Sequence, residues 1–504
     1  MGPSMSIELV QALQRQLHAQ LIETHISWVL LDGTHAWKIK KPVTLSFLDF
    51  SSLTTRHRLC HEELALNRRL APSLYLDVSP ISGTAEAPEL GGTGEPIEYA
   101  LRMKQFDAGA LFSERLAHGQ LMPDHLVQLA EKLAAFHAQA PQAGQADDWG
   151  SPARITRPVE TLMQGLQAHG CEAACAALQP WLQQQAQVLH AIWLQRRQDG
   201  WVIEGHGDLH LANAVLLPEG ATAFDCIEFD PALRWVDGLS DIAFMAMDLM
   251  AHGHDDLAWC FLNAYLDVRG DHAGLPVLRY YLVYRALVRA LVARLRADQG
   301  GADRRPDYLA LALRLSAPAP ARLLITHGVS GSGKTHVSRL LAREAGAVHL
   351  RADVIRKRLF GLSPTVVSHE VVPGGIYTAE ANAATYARLL DLSRLTLQWG
   401  WPVIVDATFL DAADRHRFAE LAHCLSVPFT ILHCQAPGAV LRARIAQRQA
   451  RGGDASEATQ EVLSAQQVRA QPLSSQELPH TLTLDASRPW PAGELAAQWR
   501  AMAG

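Results

Sequence analysis

Two short stretches carry residue types that could do chemistry on a phosphate. In EGHGDLHLANAVL, Asp208 precedes Asn213 by five positions, and FDCIEFD places Asp225 a dozen residues further on. One carboxylate can accept a hydroxyl proton, while an amide oxygen and a second carboxylate are hard oxygen ligands suited to Mg²⁺. His206 and His210 flank Asp208, and two histidines four apart also suggest a metal site, although no third ligand stands nearby. The second stretch is GVSGSGKT, residues 328–335, which satisfies G-x-x-x-x-G-K-[ST]. Gly328, Ser330, Gly331, Ser332 and Gly333 turn backbone N–H groups inward, Lys334 reaches the outer phosphates, and Thr335 can ligate Mg²⁺.

Further residues fall into place around each stretch. After the glycine loop, RADVIRKRL closes a strand at Asp353, a carboxylate placed to take a proton from an acceptor, with Arg356 one turn on to hold that acceptor. An Asp here also serves as a helix cap, and the two roles coexist. PVIVDAT ends an apolar run at Asp406, which could order a Mg²⁺ water shell or simply turn the chain. Arg444, Arg448 and Arg451 share one helical face ahead of Gly452–Gly453, a pattern of either a solvated face or a hinged lid that neutralises phosphoryl charge. Near the start of the chain, AWKIKK puts Lys38 and Lys40 on one side of a strand. One of them should pair with a glutamate of CHEELALNRRL, with Lys38 and Glu63 favoured over Lys40 and Glu62; a solvated basic edge strand is the plainer alternative. No G-x-G-x-x-G covers this region, and LLDGTH supplies a single glycine.

These residues need two different scaffolds. Residues 28–31 and 36–39 flank the turn DGT as a hairpin, and EYALRMKQF reads as a further strand. From about residue 124 the apolar spacing becomes helical, interrupted by strand-like pieces around 201–230. A β-rich lobe over about 1–105 followed by a helical lobe over about 106–318 is an α+β arrangement. Pro318 and Pro320 in SAPAPARLL stop the last helix and set a join near residue 319. Beyond it LLIT, VHLR, PVIVD and FTILHC alternate with helical segments, which predicts an α/β domain with a parallel sheet over 319–504.

Composition sets the outer bounds. The chain has 504 residues, 48% hydrophobic and 19% charged, with a formal net charge of −6. That is the profile of a globular chain and weighs against a broad nucleic-acid-binding face. Seven scattered cysteines without a CxxC pair read as reduced thiols, no apolar run spans a bilayer, and the N-terminus lacks signal-peptide features, so a cytoplasmic protein without membrane contact is expected. MGPSMS fits the loose myristoylation pattern, a match discounted as accidental.

Two resemblances sharpen these readings. GVSGSGKT, RADVIRKRL, VIVDATF and RARIAQRQARGGDASEA together resemble the P-loop kinases of the gluconate-kinase, zeta-toxin and polynucleotide-kinase-like group. That likeness implies ATP-dependent phosphorylation of a hydroxyl, with Asp353 as base and Arg444 and Arg448 in a lid. HGDLHLAN…FDCIEFDPALRWVDGLSDIAF resembles aminoglycoside-phosphotransferase-like kinases, whose fold is protein-kinase-like. It implies Asp208 in the catalytic loop, Asn213 and Asp225 at the metal, and Asp237 and Asp241 as structural anchors. Together they resemble a fusion of the bifunctional aminoglycoside phosphotransferase/ATP-binding protein type. The expectation is an α+β kinase-like domain followed by a P-loop domain, each using ATP and Mg²⁺ on a small hydroxyl compound. Alternatively the rear domain alone is the kinase, acting on a nucleotide sugar or a nucleic-acid 5′-end, and the front domain is a regulatory nucleotide-binding module.

Overall fold

A computed structural model describes residues 3–45, 48–298, 306–318, 320–364, 366, 368, 375–451 and 455–502. The join expected near residue 319, the Gly452–Gly453 hinge and the start of MGPSMS fall outside the described residues. The chain packs as two compact units, one formed by 1–157 with 193–245 and the other by 158–192 with 246–504.

In the first unit, six strands form one antiparallel sheet in the order Gln20–Glu23, Ser27–Leu31, His35–Lys40, Glu98–Lys104, Tyr75–Gly83, Pro88–Leu90. The turn at 32–34 is tight because Gly33 takes φ 92°, a left-handed value glycine adopts at no steric cost, and its N–H donates to Gln105 Oε1 at 2.9 Å. Alternation along His35–Lys40 divides its side chains between two environments. Trp37 and Ile39 join Leu9, Val10 and Leu13 of helix Pro3–Leu17 in one apolar cluster, while Ala36 packs with Leu74, Tyr75 and Leu101 on the opposite face. Lys38 and Lys40 share that second face, and helix Leu53–Arg68 brings Glu63 to it. Ser52 caps this helix, its Oγ accepting from Thr55 N at 3.0 Å.

Two small two-stranded sheets complete the part of the unit that matters here. Ala214–Leu217 pairs antiparallel with Gly220–Ala223, and Val202–Glu204 pairs antiparallel with Trp235–Asp237. The first of these returns the chain so that Asn213 and Asp225 emerge at the same end, where Phe224 N donates to Asn213 O at 3.0 Å.

The second unit is built on five parallel strands in the order Val348–Arg351, Val403–Asp406, Leu323–His327, Phe429–Gln435, Thr481–Asp485. Leu323–His327 lies at the centre and is buried at every position, as expected of a parallel strand covered on both faces. Leu324, Ile404 and Leu432 from the sheet pack with Val337, Leu341 and Trp499 from helices Lys334–Ala345 and Ala492–Ala501. Helix Asp255–Arg269 also belongs to this unit. Its Asn263 completes the edge strand: Nδ2 donates to Ala347 O and Oδ1 accepts from His349 N, both at 2.9 Å. A side-chain amide thereby satisfies backbone groups that an edge strand otherwise leaves unpaired. No helix among the described residues is long and apolar enough to cross a membrane.

Candidate functional sites

In the first unit the site is organised by a chain of alternating charges. Lys38 Nζ sits 2.7 Å from Glu63 Oε1 and 2.6 Å from Asp225 Oδ1, while Lys40 Nζ sits 2.6 Å from Glu63 Oε2 and also contacts Glu228. Glu63 is thus shared by both lysines, one on each oxygen. Burial lowers the Lys38 pKa, but Asp225, Glu63 and Glu228 outweigh it and hold that pKa well above the ordinary value. Burial likewise opposes the Glu63 charge, and the two ammonium groups overcome it and push the pKa down. Glu228 goes the other way, raised by its burial against the neighbouring Glu63. Glu62 points elsewhere, pairing with Arg234 at 2.6 Å and Arg58 at 3.1 Å.

The acidic loop is held from beneath. Asp241, fully buried, accepts from His206 N at 2.7 Å and Gly207 N at 2.9 Å, and His137 Nε2 lies 3.2 Å from the same carboxylate. Burial disfavours its charge, yet the His137 hydrogen bond and charge dominate and keep its pKa low. Gly207 takes φ 86°, and a Cβ there would meet Leu233 O at 2.7 Å. Asp237 receives Arg196 Nε at 2.6 Å and Leu239 N at 2.9 Å. Above this base, Asn213 Nδ2 donates to Asp208 O at 2.9 Å and Oδ2 at 3.1 Å, which turns its carbonyl oxygen away from the aspartate. His210 Nε2 stands 3.4 Å from Asp208 Oδ2, and His206 is committed to Phe224 O at 2.8 Å. Asp225 adopts φ 63°, its N–H donating to Tyr75 Oη at 3.1 Å. That left-handed kink points the carboxylate back at Lys38. An aspartate tolerates the region better than most residues, and such strain concentrates at functional sites.

In the second unit the glycine loop sits between the central strand and helix Lys334–Ala345. Gly328, Gly331 and Gly333 all have positive φ. A Cβ on Gly328 would stand 2.5 Å from Cys434 O and one on Gly331 2.8 Å from Leu441 O, so side chains are excluded where a phosphate-cradling backbone must turn. Lys334 Nζ donates to Val329 O at 2.9 Å. Its pKa is lowered by burial, against the pull of Asp406, Cys434 and Asp353. Ser332 Oγ is buried and has no hydrogen-bond partner among the described residues. Ser330 N is taken by Gln466 Oε1 at 2.7 Å.

The neighbouring strand end supplies the acids. Asp406 ends Val403–Asp406, level with Arg351 of the edge strand. Burial works against its charge, but the hydrogen bond and charge of His349, the Lys334 ammonium and the Thr335 hydroxyl hold its pKa down. His349 Nε2 lies 3.5 Å from Asp406 Oδ2 and 3.0 Å from Ser338 Oγ. Asp353 does not end a strand: the strand stops at Arg351, which is the N-cap, and Asp353 stands in the first turn of helix Ala352–Leu359. Burial and the nearby Asp406 raise its pKa, and Arg356 Nη1 at 3.1 Å from Oδ1 opposes them. Arg356 also donates to Asn382 Oδ1 at 3.0 Å and lies over the Tyr377 ring at 4.8 Å. On helix Gly438–Arg451, Arg444 donates to Gly331 O at 3.2 Å and Ala486 O at 2.6 Å, and Arg448 to Ala458 O at 3.3 Å. The Arg451 side chain lies outside the described residues.

Tyr75, His137, His349, Asn382 and Gln466 are not singled out by any pattern in the sequence. Glu228 had a signal, since it lies within FDCIEFD; the others reach the sites from distant positions or from helices whose spacing looks ordinary.

A five-stranded parallel sheet with a glycine loop at the end of its central strand defines a P-loop nucleotide-binding domain, and the AAA domain family model matches residues 323–473. Over most of its length the chain is 32% identical to the uncharacterized protein Rv2004c of Mycobacterium tuberculosis (strain ATCC 25618 / H37Rv), across 454 residues that cover 88% of each protein. The chain belongs to the family of that mycobacterial protein. Among solved structures, a sugar kinase from Janibacter sp. HTCC2649 matches 36% of this chain and 96% of its own, at 23% identity and a TM-score of 0.29. A choline kinase from Cryptosporidium parvum Iowa II matches 62% of this chain and 93% of its own, at 9% identity and a TM-score of 0.38.

Proposed function

We propose that the chain is a two-domain ATP-dependent phosphotransferase, each domain moving the γ-phosphate of ATP to a hydroxyl of a small molecule. What supports this reading is that each unit holds a lysine, a candidate base and hard oxygen donors within one site: Lys38 with Asp208, Asn213 and Asp225 in front, and Lys334 with Asp353, Thr335 and Asp406 behind. In the front unit Lys38, braced by Glu63, engages the α- and β-phosphates, and Asp208 accepts the hydroxyl proton as the oxygen attacks phosphorus. In the rear unit the loop amides and Lys334 hold the phosphates, Asp353 accepts the proton with Arg356 holding the acceptor, and Arg444 and Arg448 offset the charge that develops. Asn213 and Asp225 in front, and Thr335 and Asp406 behind, are oxygen donors of the kind that would hold Mg²⁺, which neutralises phosphoryl oxygens during transfer. The net charge of −6 favours a small-molecule acceptor over a nucleic acid, and a cytoplasmic protein without membrane attachment fits the same reading.

The test uses the full chain with Mg²⁺ and γ-labelled ATP against sugars, aminoglycosides, nucleotide sugars and 5′-hydroxyl oligonucleotides, beside Asp208→Ala and Lys334→Ala. Two labelled products, each erased by a different substitution, are expected. One product erased by both would make the front unit a regulator of the rear kinase. Labelling of oligonucleotide ends as fast as any sugar would overturn the small-molecule assignment for the rear unit.

A further inference from the structure

We infer that His349 is a positioning residue of the rear site, holding the Asp406 carboxylate to the helix that begins at Lys334, an assignment that rests on the rear-domain reading above. His349 is buried, the second residue of the edge strand Val348–Arg351. Its Nε2 lies 3.0 Å from Ser338 Oγ and 3.5 Å from Asp406 Oδ2. Ser338 has one O–H, and its Oγ lies 2.7 Å from Lys334 O, a carbonyl one turn back that can only accept. The hydroxyl therefore accepts from His349, which assigns the ring hydrogen to Nε2. That N–H is shared between Ser338 and Asp406, closer to the hydroxyl. Asp406 also takes a hydrogen bond from the Thr335 hydroxyl. One imidazole thus ties the acid to the same helix start that carries Lys334 and Thr335.

The imidazole is itself seated from outside the sheet. Asn263 of helix Asp255–Arg269 bonds Ala347 O and His349 N, on either side of Val348, each at 2.9 Å. Asp267, one turn further along that helix, takes Arg351 Nη1 on Oδ2 at 3.1 Å. One helix therefore fixes the edge strand on both sides of the residue that carries the ring. A carboxylate that serves a metal ion is oriented by the groups hydrogen-bonded to it, and Asp406 and Thr335 are hard oxygen donors of the kind Mg²⁺ takes. A histidine that merely filled the space between strand and helix would stabilise the fold without acting through Asp406.

Calorimetric titration of the full chain with a non-hydrolysable ATP analogue, once with Mg²⁺ and once with EDTA, separates these cases. The rear site is taken as the binding component that Lys334→Ala removes. His349→Met, which fills the space without a donor, should cut the affinity gained from Mg²⁺ about tenfold and leave the EDTA value within about twofold. His349→Gln, which can donate an N–H at a similar reach, should recover most of that gain. In an Asp406→Asn background, His349→Met should change the gain little, because the residue it acts through is already altered. An unchanged gain in His349→Met, an equal loss with and without Mg²⁺, or losses that add to those of Asp406→Asn would each overturn the positioning role while leaving the rear domain a nucleotide binder. If Lys334→Ala removed no binding component, or the parent gained nothing from Mg²⁺, the rear-domain reading would fall, and the inference with it.

Discussion

The two lysines proposed to engage phosphate in this chain are held in opposite ways. Lys38 is clamped by carboxylates 25 and 187 positions away, with its charge reinforced by both. Lys334 rests on a carbonyl five positions back, and burial eases its proton off instead of fixing it. In the front unit the cation is positioned by tertiary structure: sheet, helix and the Asp225 kink must all be in place before Glu63 and Asp225 meet it. In the rear unit the loop and the helix start suffice, because backbone geometry positions the lysine. The difference predicts different failure modes. A front-unit substitution perturbs a network of buried charges, and a rear-unit substitution removes one contact from a preformed cradle.

Lys334→Ala tests the cradle and, with Asp208→Ala, should have the largest effect. It leaves the glycine geometry intact but removes the cation aimed at the outer phosphates, so rear-unit transfer should fall by roughly 10²–10³ or more, while the front-unit product persists. Asp208→Ala addresses the front unit, where loss of a positioned base should cost roughly 10²–10⁴ in turnover with little change in nucleotide affinity. Single-turnover assays on each product check both. If Asp208→Ala left every product unchanged, the front unit would be a scaffold or sensor. Lys40→Met probes the network itself. It leaves Glu63 and Glu228 with one cation fewer in a buried setting, and breaking a buried pair in this way costs about 3–5 kcal/mol. Denaturation of the front unit should register that loss, and adding Glu228→Gln should recover part of it. Equal stability of Lys40→Met and the parent would mean that Lys38 alone fixes Glu63.

The same contrast explains what could be read from sequence. GVSGSGKT declares its loop because every participant lies within eight residues, and the positive-φ glycines are the residues a tight backbone requires. HGDLHLAN is legible for the same reason, since Asp208 and Asn213 meet through a single turn. Pairing Lys38 with Glu63 could be narrowed but not resolved, because strand alternation places Lys40 on the same face and both lysines do reach Glu63. The contribution of Glu228 depends on how the segment after Asp225 turns, and a φ of 63° at a non-glycine residue leaves no trace in composition. His349 and Gln466 were illegible for another reason. One is a strand residue between apolar neighbours, and the other sits on a helix of polar residues, so neither departs from what its element ordinarily contains. Residues 246–298 show a related limit: their helical spacing is plain, but Asn263 pairing with an edge strand far along the chain is a tertiary event.

The smallest predicted effect is also the one that most directly sharpens the contrast, because it asks whether the rear acid is tuned by a neighbour as the front lysine is. Burial and Asp406 raise the Asp353 pKa above its ordinary value, and Arg356 is the largest of the groups that pull it back. A base must be ionised to act, so rear-unit turnover should fall as pH drops through the Asp353 pKa, at a pH above that of an ordinary aspartate. Replacing Arg356 by Gln removes the favourable charge and raises that pKa further, which moves the acid limb to higher pH. A shift of about one unit corresponds to about 1.4 kcal/mol of lost interaction. The profile of kcat, measured with saturating acceptor, isolates this from any weaker acceptor binding that Arg356→Gln also causes. An acid limb that moved to lower pH, or did not move, would mean that Asp353 is not the group titrating, and the base would have to be sought elsewhere in the rear site.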